Sequence, residues 1–578
     1  MKKWFFGLLT GFSLAFTLIT LVTLYGAYYG SGRPSIKENS TLVLDISGDV
    51  PEQVSPDIAG QLLGERQPMT MVSLIRTIER AKSDNRITGI LLQPSRLGMG
   101  WGKLQQLRRA LADFRQSGKK ITALLGVSGS REYYLASVAD KLYLSPAGAL
   151  DVKGIRMEVM FFKDGLAKIG VQADLEQIGA YKNFADVFKT NQMSEAFREA
   201  ATSMMDDIYG GFLTTIAEAR RKPVEEMRKL IEESGPFEPT RAEVAGLVDA
   251  LRYADEVEKE VAGGKSEEDA PQVNVEDYRT ATAPTLKDSS PRIAVVYAVG
   301  DITSGKESHN PVMGGKTLGA ETMAEVLKDV EEDDDIKGVI VRIDSPGGDA
   351  FASDEIWRRM NLLSKKKPLV FSMSDVAASG GYYLAMTGDP IIAEAGTLTG
   401  SIGIVYGKFN LKGLYDKLGI NKEVISRGNF SRLDSDYSPY TPEERARVRA
   451  LMTDFYNKFL EKVAAARKMT PEQVDKLAQG RVWTGTQAKA NGLIDELGGM
   501  ERALVMIKQK SGIAAGDEVL LVEFPKRKRL LDMLIERARG SASLWASPLD
   551  KARAELVKIE SFARTGAWAR MPAEFDLR

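Results

Sequence analysis

The chain has 578 residues, of which 43% are hydrophobic and 27% are charged. This length predicts more than one domain, because single hydrophobic cores stop growing near roughly 250–300 residues. The formal net charge is −1, which gives no sign of nucleic-acid binding. The absence of Cys excludes disulfides, thiol nucleophiles and thiolate zinc sites, and the single His allows at most one His-based triad. No metal and no cofactor is predicted.

The first 33 residues predict a membrane anchor. After Lys2 and Lys3 the chain carries no charge as far as Gly32, and residues 4–29 are long enough to cross about 30 Å of hydrocarbon as a helix. The two lysines predict a single-pass topology with the N-terminus inside and the rest of the chain outside. A cleaved signal peptide is the alternative, but its apolar region would be only roughly 7–15 residues long.

An internal repeat organises the rest of the chain. At an offset of 249 residues, Ile87–Leu92 lies over Ile336–Val341, and Tyr133–Ala136 lies over Tyr382–Ala385. Short apolar runs alternate with helical patterns, which predicts an α/β fold of parallel βαβ units in each copy. In the second copy the predicted strands are Ile293–Val299, Val339–Ile343 and Leu369–Met373, and the predicted helices are Thr322–Val330 and Asp354–Leu363.

The repeat and the composition together divide the chain. We predict an anchor (1–33), a first copy (34–262), a linker rich in Gly, Ser, Pro and acidic residues (263–291), a second copy (292–512) and a basic helical extension (513–578). Residues 525–578 hold 12 Lys or Arg and 7 Asp or Glu. Two interpretations of this excess stay open: attraction to anionic lipid head groups, or a solvated helix with a basic face.

Two glycine-containing loops of the second copy carry the pattern of a nucleophile. Asp344–Gly348 and Val376–Tyr383 each follow a predicted strand, and the second loop holds Ser379 directly before Gly380 and Gly381. Glycines beside a serine let a substrate carbonyl approach the backbone and leave N–H groups to stabilise an oxyanion. A helix N-cap serine with tightly packed glycines would give the same short pattern.

A serine nucleophile needs a base. His309 lies in a polar, turn-rich stretch typical of exposed histidines, so a triad that uses it is disfavoured. A lysine serves instead if burial lowers its pKa from about 10.4 to about 7–8. Composition alone does not select one lysine.

The two loops in combination resemble the signal peptide peptidase A family (protease IV, peptidase family S49), of the Clp protease/crotonase-like superfamily. The tandem copies and the N-terminal anchor are similar to the long form of this family. The resemblance implies two tandem Clp/crotonase-like domains and a Ser/Lys dyad, with Ser379 as the nucleophile and Lys182 as the general base. The register agrees: Lys182 lies 52 residues after Ser130 of the first copy, and Ser431 lies 52 residues after Ser379. Each copy therefore carries half of the implied site.

The resemblance also implies supporting residues. A second serine that orients the lysine falls on Ser401, whose place in the first copy is taken by Val152. The implied oxyanion donors are the backbone N–H groups of Gly347 or Gly348 and of Gly380.

The family further implies an endopeptidase that degrades cleaved signal peptides and other unfolded, apolar peptides. It implies attachment to the inner (cytoplasmic) membrane with periplasmic catalytic domains, and a homo-oligomer such as a tetramer. Two other classes stay open at this stage. One is a crotonase-like acyl-CoA enzyme that uses the same loops for a thioester, and the other is a non-catalytic membrane scaffold.

Overall fold

A computed structural model describes residues 34–54, 68–264, 270–283, 290–307 and 317–526, and the backbone of 566–570. The predicted anchor (1–33) and His309 lie outside these residues. Within the described ranges, no helix combines the length and the apolar character needed to cross a membrane.

The strands of the described residues are β1 (Ser40–Gly48), β2 (Ile87–Leu97), β3 (Lys120–Gly129), β4 (Lys141–Asp151), β5 (Gln172–Ile178), β6 (Ala250–Leu251), β7 (Gln272–Asn274), β8 (Arg292–Val299), β9 (Asp301–Thr303), β10 (Thr317–Gly319), β11 (Ile336–Ser345), β12 (Gly347–Asp349), β13 (Leu369–Ala378), β14 (Ile391–Ala393), β15 (Leu398–Gly400), β16 (Ile404–Asn410), β17 (Val482–Thr484), β18 (Glu496–Leu497), β19 (Leu520–Phe524) and β20 (Gly566–Arg570).

The helices are α1 (Met71–Ser83), α2 (Trp101–Arg115), α3 (Ser130–Ala136), α4 (Lys163–Ile169), α5 (Asp186–Lys189), α6 (Glu195–Arg220), α7 (Val224–Ser234), α8 (Pro239–Val244), α9 (Ala254–Val261), α10 (Val275–Ala281), α11 (Ala320–Glu332), α12 (Ala350–Leu363), α13 (Gly380–Leu384), α14 (Lys412–Lys417), α15 (Pro442–Arg467), α16 (Pro471–Leu477), α17 (Gly485–Ala490) and α18 (Met500–Lys510).

Each copy has its own sheet, and the named strand pairs of these two sheets are parallel apart from the antiparallel pair of β15 and β17 in the second copy. The first sheet has the order β6-β4-β3-β2-β1-β7 and is parallel throughout. The second has the order β17-β15-β13-β11-β8-β19, and β14 pairs with β13 beside β15. The α/β prediction and the three predicted strands of the second copy are confirmed, because β8, β11 and β13 contain them. The two predicted helices are confirmed by α11 and α12.

The repeat is visible in matching contacts. The hydroxyl of Tyr133 donates to the carbonyl of Leu247 at 2.9 Å, and the hydroxyl of Tyr382 donates to the carbonyl of Leu493 at 2.7 Å. Helices α6 and α15 both have 26 residues. Both end at a residue with left-handed backbone, which closes the last turn. The two copies therefore share side-chain contacts as well as sequence register.

The predicted linker (263–291) and the predicted C-terminal extension (513–578) both contain regular secondary structure. Within the linker, β7 pairs with β1 and leads into α10, whose buried Tyr278 donates a hydrogen bond to Asp84 at 2.9 Å. Within the extension predicted to be helical, β19 pairs in parallel with β8, and β20 is also a strand. The helical prediction is wrong at these two places, because sheet edges offer backbone partners that the basic composition does not reveal.

A third, mixed sheet joins the two copies, in the order β10-β9-β12-β20-β16-β5. Strand β5 belongs to the first copy and runs antiparallel to β16 of the second, from Gln172 opposite Asn410 to Ile178 opposite Ile404. The first copy thus contributes a strand to a sheet built mostly by the second.

A buried ion pair also crosses between the copies. Arg342 on β11 donates to both carboxylate oxygens of Glu52, at 3.0 and 2.7 Å, and neither side chain is exposed. Gln106 on α2 accepts a third hydrogen bond from the same guanidinium at 2.7 Å. Burial opposes the charged carboxylate, but the charge and hydrogen bonds of Arg342 outweigh it and lower the pKa of Glu52. Removing either partner would leave a buried charge unpaired.

We expect Glu52→Ala to lower the free energy of unfolding by about 3–5 kcal/mol, because the guanidinium of Arg342 would stay buried without its counter-ion. Urea-induced unfolding measures this change. The matched control is Glu225→Ala, at an 80% exposed side chain paired with Arg228 at 3.3 Å, where a change of no more than about 1 kcal/mol is expected. Equal effects of the two substitutions would contradict the assignment.

Candidate active site

Ser379 stands at a sharp turn between strand β13 and helix α13. Its backbone has φ 55° and ψ −115°, a conformation that residues other than glycine rarely adopt. Its N–H donates to the carbonyl of Gly400 on the neighbouring strand at 2.8 Å, which holds the turn in place. Gly381 is required at this turn, because a Cβ there would lie 2.5 Å from the carbonyl oxygen of Ser345. Backbone strain of this kind is characteristic of functional sites.

Lys182 comes from the first copy, immediately after β5. The pairing of β5 with β16 carries the chain to the second copy, and the turn at Gly179 then places the lysine. The N–H of Tyr181 donates to the carbonyl of Gln479 at 2.7 Å, so the turn is fixed against the second copy. Gly480 lies so close that a Cβ on it would be 2.5 Å from Cα of Lys182. The lysine loop is therefore packed backbone to backbone against the other copy.

The structure brings Lys182, Ser379 and Ser401 together within one chain. Nζ of Lys182 lies 2.7 Å from Oγ of Ser379, 2.9 Å from Oγ of Ser401 and 2.7 Å from the carbonyl oxygen of Ser401. None of the three residues is exposed to solvent. Among the residues that the structure describes, no carboxylate forms an ion pair with Lys182. Burial therefore lowers the pKa of the Lys182 amine well below its ordinary value.

The glycines predicted as oxyanion donors differ in their present contacts. The N–H of Gly347 already donates to the hydroxyl of Ser345 at 3.2 Å. Gly348 follows it in β12, where a Cβ would lie 2.1 Å from the carbonyl oxygen of Ile302. Gly380 is the first residue of α13, so its N–H has no acceptor within the helix. The N–H of Gly380 is thus left without an acceptor in its helix, whereas the N–H of Gly347 is already engaged and Gly348 lies in a strand paired with β9 and β20.

In the first copy the equivalent place is closed by a carboxylate. The hydroxyl of Ser130 donates to the carbonyl of Gly154 at 3.0 Å. Glu132, which stands where the second copy has Gly381, accepts from the N–H groups of Leu97 at 2.6 Å and Gly129 at 2.9 Å. A fixed negative charge against these N–H groups would repel an oxyanion. The first copy therefore has a serine in register without the surroundings of a nucleophile.

A buried charge cluster links the two glycine-containing loops of the second copy to helix α2 of the first. Nζ of Lys103 on α2 lies 3.3 Å from Asp344 and 3.7 Å from Asp375. Asp375 also accepts from the N–H groups of Gly100 at 2.9 Å and Lys103 at 2.7 Å, where a carboxylate interacts favourably with the start of a helix. Burial raises the pKa of Asp344 to about 6, while the charge of Lys103 acts in the opposite direction.

Sequence reasoning missed Lys103. It lies 272 residues from Asp375, on a helix of the copy that lacks the glycine-flanked serine. Asp344 does begin one of the two singled-out loops, and a carboxylate beside glycines is the only hint in the sequence that a cation is needed there.

The fold and this site define a serine hydrolase that is assembled from two copies of one α/β unit. The family model described as Peptidase family S49 matches residues 113–267 and again residues 361–514. The chain belongs to peptidase family S49, and it is a serine protease.

Individual relatives agree with the family assignment. The chain is 35% identical to "Serine protease SPPA, chloroplastic" of Arabidopsis thaliana, over 85% of this chain and 72% of that protein. It is 31% identical to "Protease 4" of Salmonella typhi, over 92% and 87% of the two chains. It is 29% identical to "Protease 4" of Haemophilus influenzae, over 86% and 83%. A solved ClpP1 variant from Listeria monocytogenes aligns at 14% identity with a TM-score of 0.24 over 36% of this chain and 94% of its own.

The burial of Lys182 predicts how the reactivity of Ser379 depends on pH. A protonated amine does not accept the serine proton, so covalent labelling by a peptidyl phosphonate should rise with pH as Lys182 loses its proton. Because burial lowers the pKa of Lys182, the rise should have its midpoint well below 10.5. Mass spectrometry of labelled Ser379 across a pH series measures this midpoint. A rate that rises only near the ordinary lysine pKa would contradict the desolvated base.

Proposed function

We propose that this protein is a membrane-anchored endopeptidase that cleaves peptide bonds with a Ser379/Lys182 dyad. The observation that carries the proposal is the 2.7 Å contact between Lys182 Nζ and Ser379 Oγ, with both residues buried and no carboxylate paired with the lysine in the described part of the chain. A lysine in these surroundings favours its neutral form, which is the form able to take a proton.

The number of N–H donors and lone pairs on Nζ of Lys182 supports its role as a general base. A neutral amine has two N–H donors and one lone pair, and the carbonyl of Ser401 can only accept a hydrogen bond. If the second N–H is donated to Oγ of Ser401, the lone pair is left for the hydroxyl proton of Ser379. A charged ammonium would use its three hydrogens on the same three oxygens and would have nothing with which to accept. Ser401 thus orients the lone pair toward the nucleophile.

The reaction then proceeds in two steps. Lys182 takes the proton of Ser379 while Oγ attacks the peptide carbonyl, and the lysine passes that proton to the leaving amine as the acyl-enzyme forms. Water, deprotonated by the again neutral Lys182, attacks the ester, and Lys182 returns that proton to Oγ of Ser379 as the acid product leaves. The N–H groups of Gly347 or Gly348 and of Gly380 stabilise the oxyanion in both steps, and each such donor is typically worth about 3–4 kcal/mol.

The proposed substrates are cleaved signal peptides and other unfolded, apolar peptides. The similarity to proteins named "Protease 4" and "Serine protease SPPA, chloroplastic" supports peptide substrates. The uncharged N-terminal segment supports attachment to the inner membrane, with the two copies on the outer, periplasmic side. The proposed assembly is a homo-oligomer such as a tetramer, as the family resemblance implies.

We expect Lys182→Met and Ser379→Ala each to lower kcat for a fluorogenic apolar peptide by about 10³-fold or more, because either change removes one half of the dyad. Steady-state kinetics on the full chain measures the loss. The control is Lys153→Met at a 59% exposed side chain, which should leave kcat unchanged. Substantial activity in Lys182→Met would refute the dyad.

The thermal stability of Lys182→Met distinguishes the loss of a general base from damage to the fold. In the window between the lowered pKa of folded Lys182 and its ordinary value, the unfolded chain binds the extra proton, so this lysine destabilises the fold increasingly as the pH falls. Lys182→Met removes that cost, so its Tm at neutral pH should equal or exceed that of the wild type. A large fall in Tm would mean that the lost activity reflects unfolding.

A further inference from the structure

The short segment between helix α16 and strand β17 contacts two of the three residues that meet at the candidate site. The N–H of Tyr181 donates to the carbonyl of Gln479 at 2.7 Å, which fixes the turn that leads into Lys182. The N–H of Ser401 donates to the carbonyl of Arg481, also at 2.7 Å. One segment of the second copy therefore holds the backbone of the lysine turn and the backbone of Ser401.

The side chain of Arg481 adds a second link between the copies. Its guanidinium carbon lies 5.0 Å from the ring centre of Tyr181 and 4.4 Å from that of Trp483, within the range of cation–π attraction. Its Nη1 pairs with one carboxylate oxygen of Glu199 on α6 at 2.6 Å, and the hydroxyl of Tyr181 donates to the other oxygen at 3.0 Å. Because Tyr181 directly precedes Lys182, these contacts restrain the lysine turn through a side chain as well as through the backbone.

The first copy has no counterpart of this arginine. Trp483 pairs with Thr399 in the second copy, and Phe237 forms an antiparallel bridge with Leu150 in the first. Leu150 lies 249 residues before Thr399, which is the offset of the repeat, so the two bridges align the copies at this place. Two residues before Phe237 the first copy has Gly235, whereas two residues before Trp483 the second copy has the arginine. The arginine therefore belongs to the copy that carries the glycine-flanked serine.

We infer that Arg481 is a positioning residue of the dyad, whose side chain holds the lysine turn of the first copy against the segment that fixes Ser401. This inference rests on the proposed function. The guanidinium contacts two rings and a carboxylate rather than the dyad, and burial, rather than a neighbouring charge, lowers the pKa of the Lys182 amine. Arg481 therefore acts through the place of the amine, 2.7 Å from Oγ of Ser379 and out of water.

The first part of the test is kinetic and uses full chains on acetyl-Leu-Leu-Ala-aminomethylcoumarin. Arg481→Met removes the guanidinium and leaves the backbone carbonyl that accepts from Ser401. We expect kcat to fall about 10- to 100-fold with KM within twofold of wild type, because a misplacement of about 1 Å can cost about 100-fold in rate. Arg481→Lys should recover part of this loss, since it restores a cation without the planar fork.

The matched control is Arg228→Met. Arg228 also lies over a tyrosine ring, 5.7 Å from the ring centre of Tyr209, and also pairs with a carboxylate, that of Glu225 at 3.3 Å. It contacts neither the lysine turn nor the segment before β17. We expect this variant to have the kcat and KM of the wild type.

A second variant tests the same link from an exposed residue, where folding is not at risk. The side chain of Glu199 is 56% exposed. Loss of its negative charge alone would make a nearby amine less basic and would lower the pH midpoint of Ser379 labelling. A loosened lysine turn would instead let water reach the amine and raise that midpoint. We expect Glu199→Ala to raise the midpoint by about 0.5 pH unit or more, and Arg228→Met to leave it unchanged.

The outcomes separate this inference from the proposed function. If Lys182→Met is inactive but Arg481→Met has a kcat within twofold of wild type, the positioning role is refuted and the dyad stands. A midpoint that stays or falls in Glu199→Ala also refutes it, because the ion pair would then act through its charge or not at all. If Arg481→Met does not fold, the midpoint of Glu199→Ala decides. Activity that survives Ser379→Ala refutes the proposed function itself.

Discussion

The burial of one lysine without a counter-ion is the constraint on which the rest of the site depends. Taking Lys182 out of water disfavours its charged form, so the fold must supply enough packing elsewhere to keep the amine neutral and in place. The β5–β16 pairing and the backbone contacts of the lysine turn with Gln479 and Gly480 supply that packing. A lysine on a loosely held loop would reach solvent and regain its proton.

The two copies contribute different residues to the candidate site, and neither copy contains all of them. The second copy supplies the strained serine turn and the glycines, while the first supplies the lysine and has filled its own equivalent site with the carboxylate of Glu132. Buried charges then join the copies. The Arg342–Glu52 pair and the ion pairs of Lys103 with Asp344 and Asp375 link the sheet of the first copy to that of the second. Because a buried charge without its partner is costly, these contacts disfavour alternative docking of the copies.

Sequence predicted the parts of this arrangement that are local or repeated. The Val- and Ile-rich runs of β8, β11 and β13 read as buried strands, and the offset of 249 residues aligned Lys182 and Ser379 with their missing counterparts. Contacts between the copies could not be predicted from the sequence. The residues around Lys103 and Glu52 form no pattern that indicates which residue either side chain pairs with. Strand β20 was missed for a related reason. Five residues become a strand there only because two edges from distant parts of the chain receive them.

The central claim is that one chain completes one site from two half-sites. The most direct test mixes two inactive chains, Ser379→Ala and Lys182→Met, by co-expression and purification of the joint product. If each site forms within one chain, no combination of the two contains an intact dyad, and hydrolysis should stay at the level of the single variants. Recovery of a sizeable fraction of wild-type activity would show that Lys182 of one chain serves Ser379 of another, and would contradict the account.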